Sequence, residues 1–261
     1  MSEPLDAKAL LLDIDGTLME DDVALPGAVE AVSRLRAAAV PLRFVTNTTR
    51  RPARLVADGL RRIGFDVSAG ELVTPAVAAA RWLEANGIRR IALCLPDPAL
   101  EDFAAFERSD DRPEAVVVGD LGAGWTFERL DVAFRALLDG AQLVALQRNR
   151  YWRTGGRLVL DAGPFVAALE YAAGVSALTV GKPERAFFEL ACDRLGAPTD
   201  VAMVGDDVEA DVGGAQAAGL RGILVRTGKF SEAALAASGV RPDAMIDGMG
   251  GLPALLGLTP G

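Results

Sequence analysis

Two aspartates stand two residues apart at the end of an apolar run, in LLLDIDGTL (10–18). Asp13 stops the run, Asp15 follows a single apolar residue, and a Gly–Thr pair comes next. Far along the chain, GDDVEAD (205–211) supplies Asp206, Asp207 and Asp211. Five carboxylates gathered in one place repel one another and raise one another's pKa values. A divalent cation resolves that conflict, and an all-oxygen donor set suits Mg2+. Mg2+ binds through one or two carboxylates, keeps waters, and shares its remaining positions with a phosphate. Thr46 and Asn47 offer hydrogen bonds to the other phosphate oxygens, and Lys182 offers a compact ammonium. Lysine occurs only at Lys8, Lys182 and Lys229, against 24 arginines, so its use at 182 stands out. Beside a cation and a clamped phosphoryl group, one carboxylate can act as nucleophile. A second carboxyl two residues on can give its proton to the leaving group. Phosphoryl transfer needs mainly alignment and charge neutralisation, which this set provides.

These side chains meet only if the fold brings separated segments together. KALLLD (8–13), PLRFVTN (41–47) and RGILVRTG (221–228) read as buried strands, as does the start of DVAMVGDD (200–207). Helical spacing fills 27–40, 51–64, 74–87 and 184–196, with Pro26 and Pro75 placed to open two of these helices. Strands alternating with helices predict a doubly wound parallel sheet of α/β class. SALTVGKP (176–183) reads as a further strand ending at Lys182. In an open parallel sheet, ligands bind at the carboxyl edge of the strands. Asp13–Asp15, Thr46–Asn47, Lys182 and Asp206–Asp207 are all expected there. Between the halves lie four more strand-like runs, at 89–96, 115–120, 141–147 and 156–163, and a helix at 126–140. The expected organisation is a catalytic core from 1–87 and 177–261, with an inserted α/β domain at 88–176.

Composition narrows the field. Apolar residues make up 51% and charged residues 24% of 261, a globular balance. A net charge of −9 gives no general footprint for nucleic acid or an anionic membrane, so neither partner is expected. No eighteen-residue apolar run occurs, and the N-terminal stretch lacks a basic segment, so no transmembrane helix or secretory signal is expected. Cys94 and Cys192 lie apart without paired spacing and read as core thiols of a cytoplasmic protein. The absence of histidine removes Ser-His triads, Cys-His dyads and His-ligated zinc. Acid–base work near neutral pH therefore falls to carboxylates.

DIDGTL (13–18), VTN (45–47), GKP (181–183) and GDDVEAD (205–211) resemble, in order, the four motifs of the haloacid dehalogenase superfamily of phosphatases. The insertion between the second and third motifs looks like the C2-type cap. RFVTNTT (43–49), GPFVAALEYA (163–172) and TVGKPERAFFELA (179–191) resemble the phospholysine/phosphohistidine/pyrophosphate phosphatase branch and its domain-only relatives. The resemblance implies a Rossmann-like core and Mg2+-dependent removal of phosphate from a small phosphorylated molecule. By resemblance Asp13 is the nucleophile that forms an aspartyl-phosphate, and Asp15 is the general acid and then the base. Thr46, Asn47 and Lys182 hold the phosphate, and Asp206 ligates Mg2+ with Asp13 and the backbone carbonyl of Asp15. Asp207 and Asp211 stand behind these ligands, and a homodimer through the cap is expected.

Blander readings remain beside these. A lone strand-end aspartate is usually a cap or turn former, Thr46 could cap a helix, and Lys182 could be a solvated turn residue. Arg150, Tyr151 and Trp152 receive no role. A phosphotransferase or mutase, and a non-catalytic phosphate sensor, are the alternatives. Asp15 argues against the sensor, which needs no leaving-group acid.

Overall fold

The protein is described by a computed structural model covering residues 5–154, 157–196 and 199–258. Met1–Pro4 of the N-terminal stretch, and Gly156, where the last inserted strand is expected to start, lie outside these. Contacts divide the chain into two units: residues 1–46, 54–73 and 182–261, and residues 47–53 and 74–181. The expected boundaries differ from these chiefly at the helix Pro75–Ala85, which groups with the second unit.

The first unit is built on a six-stranded parallel sheet. Its spatial order is Ala244–Ile246, Arg221–Val225, Val201–Gly205, Ala9–Asp13, Leu42–Val45 and Leu72–Val73. All five residues of Ala9–Asp13 are buried, and so are all five of Val201–Gly205. Unbroken apolar runs of this kind mark parallel strands covered on both faces. The helix Ala28–Ala37 buries Ala28, Ala31, Val32 and Leu35, the stripe expected of a helix packed on a core. Gly27 precedes it with φ 75°, so the turn after Pro26 uses glycine's left-handed conformation.

The second unit carries its own five-stranded parallel sheet, ordered Leu178–Thr179, Gln142–Ala145, Ala115–Val118, Arg90–Cys94 and Glu107–Arg108. The helices Phe127–Leu138 and Ala162–Ala173 belong to this unit. A two-stranded hairpin, Tyr151–Thr154 with Arg157–Leu160, leaves Tyr151 and Trp152 exposed. Pro75–Ala85 begins as its sequence predicts: the Thr74 hydroxyl accepts from Val77 N–H at 3.2 Å, and Pro75 occupies the first turn.

One expectation fails here. The strand before Lys182 is only Leu178–Thr179, and it pairs with Val144 and Ala145 in the second unit's sheet. Lys182 therefore does not end a strand of the six-stranded sheet. Cys94 is buried as expected, whereas Cys192 is half-buried. Among the described residues, no helix is long and apolar enough to cross a membrane.

Leu12 lies in the fully buried strand between Val204 and Phe44. Leu12→Ala is expected to destabilise the first unit by ~2–5 kcal/mol, read as a lower urea midpoint by circular dichroism. A native midpoint would show that this strand is not packed on both faces.

Candidate active site

The strand order brings the first acids to one edge. Ala9–Asp13 lies between Val201–Gly205 and Leu42–Val45, with Leu12 opposite Val204 and Asp13 opposite Val45. Asp13, Asp206 and Thr46 therefore emerge at the carboxyl ends of three adjacent strands. The chain steps from Ala9–Asp13 to one side and returns on the other, which is the switch point of an open α/β sheet. Lys182 joins them from the segment that leads into the helix Arg185–Asp193.

Asp211 arrives by a different device. After Asp206 the chain forms a π-helical turn, Val208–Gly213, capped by the Asp207 carboxylate, which accepts from Glu209 and Ala210 N–H at 3.2 and 3.0 Å. The turn folds Asp211 back onto Gly205, where a Cβ would sit 2.2 Å from Asp211 Oδ2. Such turns recur at functional sites.

The carboxylates of Asp13, Asp206 and Asp211 come together, buried, each with an oxygen within 4.8 Å of the others. Lys182 Nζ donates to Asp13 Oδ1 at 2.5 Å and to Asp211 Oδ1 at 2.6 Å. Asp211 Oδ2 accepts from Asp207 N–H at 3.1 Å, and Asp206 Oδ2 from Lys229 N–H at 2.6 Å. Two oxygens are more loosely engaged, Asp13 Oδ2 and Asp206 Oδ1. Both face the Thr17 hydroxyl, at 3.3 and 3.5 Å, longer than a good O–H···O bond.

The electrostatics are one-sided, since one buried ammonium faces three buried carboxylates. Burial pushes the Asp13 carboxyl above its ordinary range, against the pull of Lys182. Burial, then repulsion from Asp13 and Asp211, pushes Asp206 up to about 8. Burial also raises Asp211, to about 7, with Lys182 opposing and Asp13 and Asp207 assisting. Burial disfavours the charge on Lys182, but Asp13 and Asp211 outweigh it and hold the ammonium firmly charged. The donor set therefore fits a small hard cation: all oxygens, excess negative charge, and two loosely engaged acceptors side by side.

The other expected residues fall into distinct places. Asp15 is exposed, two residues from buried Asp13, and its Oδ2 accepts from the Thr46 hydroxyl at 3.2 Å. Asn47 groups with the second unit, beside Gly181, where a Cβ would lie 2.9 Å from its Oδ1. The Asp207 carboxylate lies outside the triad, although its N–H donates to Asp211; burial opposes its charge, yet Lys229 at 3.0 Å holds its carboxyl below the usual range. Sequence reasoning missed Thr17, Thr227, Gly228 and Lys229. Lys229 had a signal, as one of only three lysines.

Comparison with known proteins places the chain in a family. A family model described as haloacid dehalogenase-like hydrolase matches residues 10–107, and a HAD-hydrolase-like model matches residues 179–252. Haloacid dehalogenase-like hydrolase domain-containing protein 2 of Bos taurus is 46% identical over 227 residues, 87% of this chain and 86% of that protein. Phospholysine phosphohistidine inorganic pyrophosphate phosphatase of Homo sapiens is 36% identical over 249 residues, 93% and 91% of the two chains. The crystal structure of a 4-nitrophenylphosphatase from Thermotoga maritima superposes with a TM-score of 0.90 at 29% identity, covering 96% of this chain and 97% of that one. NagD from E. coli K-12 superposes with a TM-score of 0.85 at 26% identity, covering 94% and 97%. Sequence kinship along most of the chain and a shared fold lead to one conclusion: the chain belongs to the haloacid dehalogenase-like hydrolase family, and it is an enzyme, a phosphatase of that family.

Proposed function

We propose that the chain is a Mg2+-dependent phosphohydrolase that works through a covalent aspartyl-phosphate on Asp13. The observation that carries this reading is the pairing of a lysine-bound oxygen with a loosely engaged one on the same carboxylate. Lys182 holds Asp13 Oδ1, while Asp13 Oδ2 and Asp206 Oδ1 share the Thr17 hydroxyl as their one hydrogen-bond partner among the described residues. Asp13, Asp206 and, by family resemblance, the backbone carbonyl of Asp15 would hold Mg2+. When bound, the cation supplies charge neutralisation for the carboxylates and the phosphoryl oxygens.

The chain's own residues divide the remaining work. Lys182 favours ionised Asp13 and balances the incoming phosphoryl charge, with Thr46 and Asn47 as further donors. An Asp13 oxygen forms a bond to phosphorus as the bond to the leaving atom breaks. Protonated Asp15 gives its proton to that leaving atom. A water oxygen then attacks phosphorus, the Asp15 carboxylate takes the water's proton, and the Asp13–phosphorus bond breaks to release inorganic phosphate. Asp15 suits this role because it is exposed and can exchange protons with solvent, whereas Asp13 cannot.

The substrate class is a small phosphorylated molecule: a phosphomonoester, pyrophosphate or a P–N compound. The support is the activities named for the relatives, which include aryl phosphate, pyrophosphate and phospho-amine hydrolysis. The inserted residues 88–176 are read as a C2-type cap that recognises the leaving group. The reading extends, by resemblance, to a homodimer through that cap and to cytoplasmic residence.

Asp13→Asn is expected to abolish phosphate release from 4-nitrophenyl phosphate while the melting curve stays cooperative; undiminished turnover would sink the mechanism. Asp15→Asn is expected to lower kcat ~10^2–10^4-fold on alkyl phosphates, and less on 4-nitrophenyl phosphate, whose phenolate leaves without a proton. An equal loss on both would remove Asp15 as the acid.

The raised carboxyls make a third expectation. Without a cation, Asp206 and Asp211 titrate near 8 and 7 in the folded chain, and near about 4 when unfolded. The folded chain thus binds the extra protons, so this stability is complete below about pH 4 and is lost as pH rises through both folded values. In EDTA, Tm should fall between about pH 4 and 8 on calorimetry and level off above that, and saturating Mg2+ should remove most of the fall. Asp206→Asn should flatten the EDTA profile; an unchanged slope would show that the carboxyl is not the titrating group.

A further inference from the structure

Three consecutive residues after the strand Arg221–Val225 converge on Asp206 and on the loop that carries the first two acids. The Thr227 hydroxyl donates to the Gly16 carbonyl at 2.5 Å. Gly228, at φ 54°, lies so close that a Cβ would fall 2.1 Å from Asp206 Oδ2 and 2.6 Å from Gly16 Cα. Gly16, at φ 87°, closes the other side, with a Cβ position 2.2 Å from the same oxygen. Lys229 N–H donates to Asp206 Oδ2 at 2.6 Å. Asp206 Oδ2 is therefore walled by two glycine backbones and taken by a backbone donor. Asp206 Oδ1 is the oxygen that faces the Thr17 hydroxyl, at 3.5 Å.

We propose that Thr227, Gly228 and Lys229 are positioning residues that restrict Asp206 to one ligating oxygen and so favour Mg2+ over Ca2+ at the site. This rests on the reading of Asp206 as a cation ligand. Ca2+ takes six to eight oxygens at about 2.3–2.6 Å and readily uses both oxygens of a carboxylate. Mg2+ takes six at about 2.0–2.1 Å and binds through single carboxylate oxygens. For Asp206 to chelate, the cation would have to reach Oδ2 as well, an oxygen already faced by Lys229 N–H and by the Gly16 and Gly228 backbones. Thr227 ties this arrangement down, because its bond to Gly16 holds both glycine walls together. The Lys229 ammonium adds a second tie, on Asp207 at 3.0 Å. Substitution of the Lys229 side chain leaves the backbone donor in place, so Thr227 is the residue to test.

The experiment is calorimetric titration of the metal-free full chain with Mg2+ and, separately, Ca2+, in native protein, Thr227→Val and Thr227→Ser. Valine keeps the branched shape and loses the hydroxyl; serine keeps the hydroxyl. Thr227→Val is expected to weaken Mg2+ ~10-fold, with Thr227→Ser staying within about twofold of native. Ca2+ binding should weaken less in Thr227→Val, so the ratio of the two affinities narrows. Unchanged affinities in Thr227→Val, or equal weakening of both cations, would overturn the inference while leaving the cation site intact. If native protein and Asp206→Asn bind Mg2+ equally poorly, the cation reading falls and the inference falls with it. Infrared difference spectra of native protein against Asp206→Asn, with Mg2+ bound, give a check independent of the folding of Thr227→Val. A single-oxygen carboxylate signature supports the proposal, and a chelating one overturns it.

Discussion

An excess of buried negative charge governs the architecture of the first unit. Asp13, Asp206 and Asp211 lie within reach of one another and are almost wholly screened from water, with Lys182 as their buried counterion. Removing a carboxylate from water costs several kcal/mol even after the protein relaxes. One ammonium cannot offset three such costs, and the raised carboxyls record the deficit. A cluster of this kind persists in a fold when a cation and an anionic substrate complete it. The imbalance is thus what the proposed cation and phosphorylated substrate would complete.

The backbone around the cluster follows from that requirement. Four carboxylate oxygens are held by Lys182 or by backbone N–H groups, and the two that remain loosely engaged are adjacent. Reaching this state needs backbone unusually close to side chain. Gly16 and Gly228 flank Asp206, and Gly205 lies against Asp211. Each glycine removes a Cβ that would overlap a carboxylate oxygen, and two of them also supply left-handed φ values. The π-helical turn contributes the same kind of closeness by aiming Asp211 back at the strand it follows. Charge placement here is a backbone problem, solved with glycines and one irregular turn.

Much of this was legible in the amino-acid order, and the failures have physical causes. Strand-ending acids are visible because parallel strands are apolar throughout, so Asp13 and Asp206 interrupt their runs sharply. Lys182 was found by its rarity, yet its element was misjudged. A two-residue strand such as Leu178–Thr179 carries too little pattern to reveal which sheet it joins. Leu72–Val73 and Glu107–Arg108 escaped for the same reason. The hairpin turn at Asp21–Asp22 was missed as well, although two short acidic residues at φ 49° and 60° suit a primed turn. Thr227 and Gly228 left no trace, and the rarity of Lys229 did not reveal its contact, because these contacts are made by one hydroxyl, one absent side chain and one backbone N–H. None of these imposes a periodicity on sequence.

The two acids of the first strand show how position alone can assign chemistry. They are identical side chains separated by Ile14, which is fully buried and anchors the chain between them. Asp13 ends a buried strand, whereas Asp15 lies just beyond the sheet edge, in solvent and beside the Thr46 hydroxyl. A buried carboxylate that is paired with an ammonium is fixed in place and screened from water, which suits the nucleophile proposed at Asp13. An exposed carboxyl exchanges protons freely but lacks the fixed geometry for attack. The end of one strand therefore supplies two different environments within two residues. In a chain without histidine, that difference in environment is what the proposed division of labour between Asp13 and Asp15 draws on.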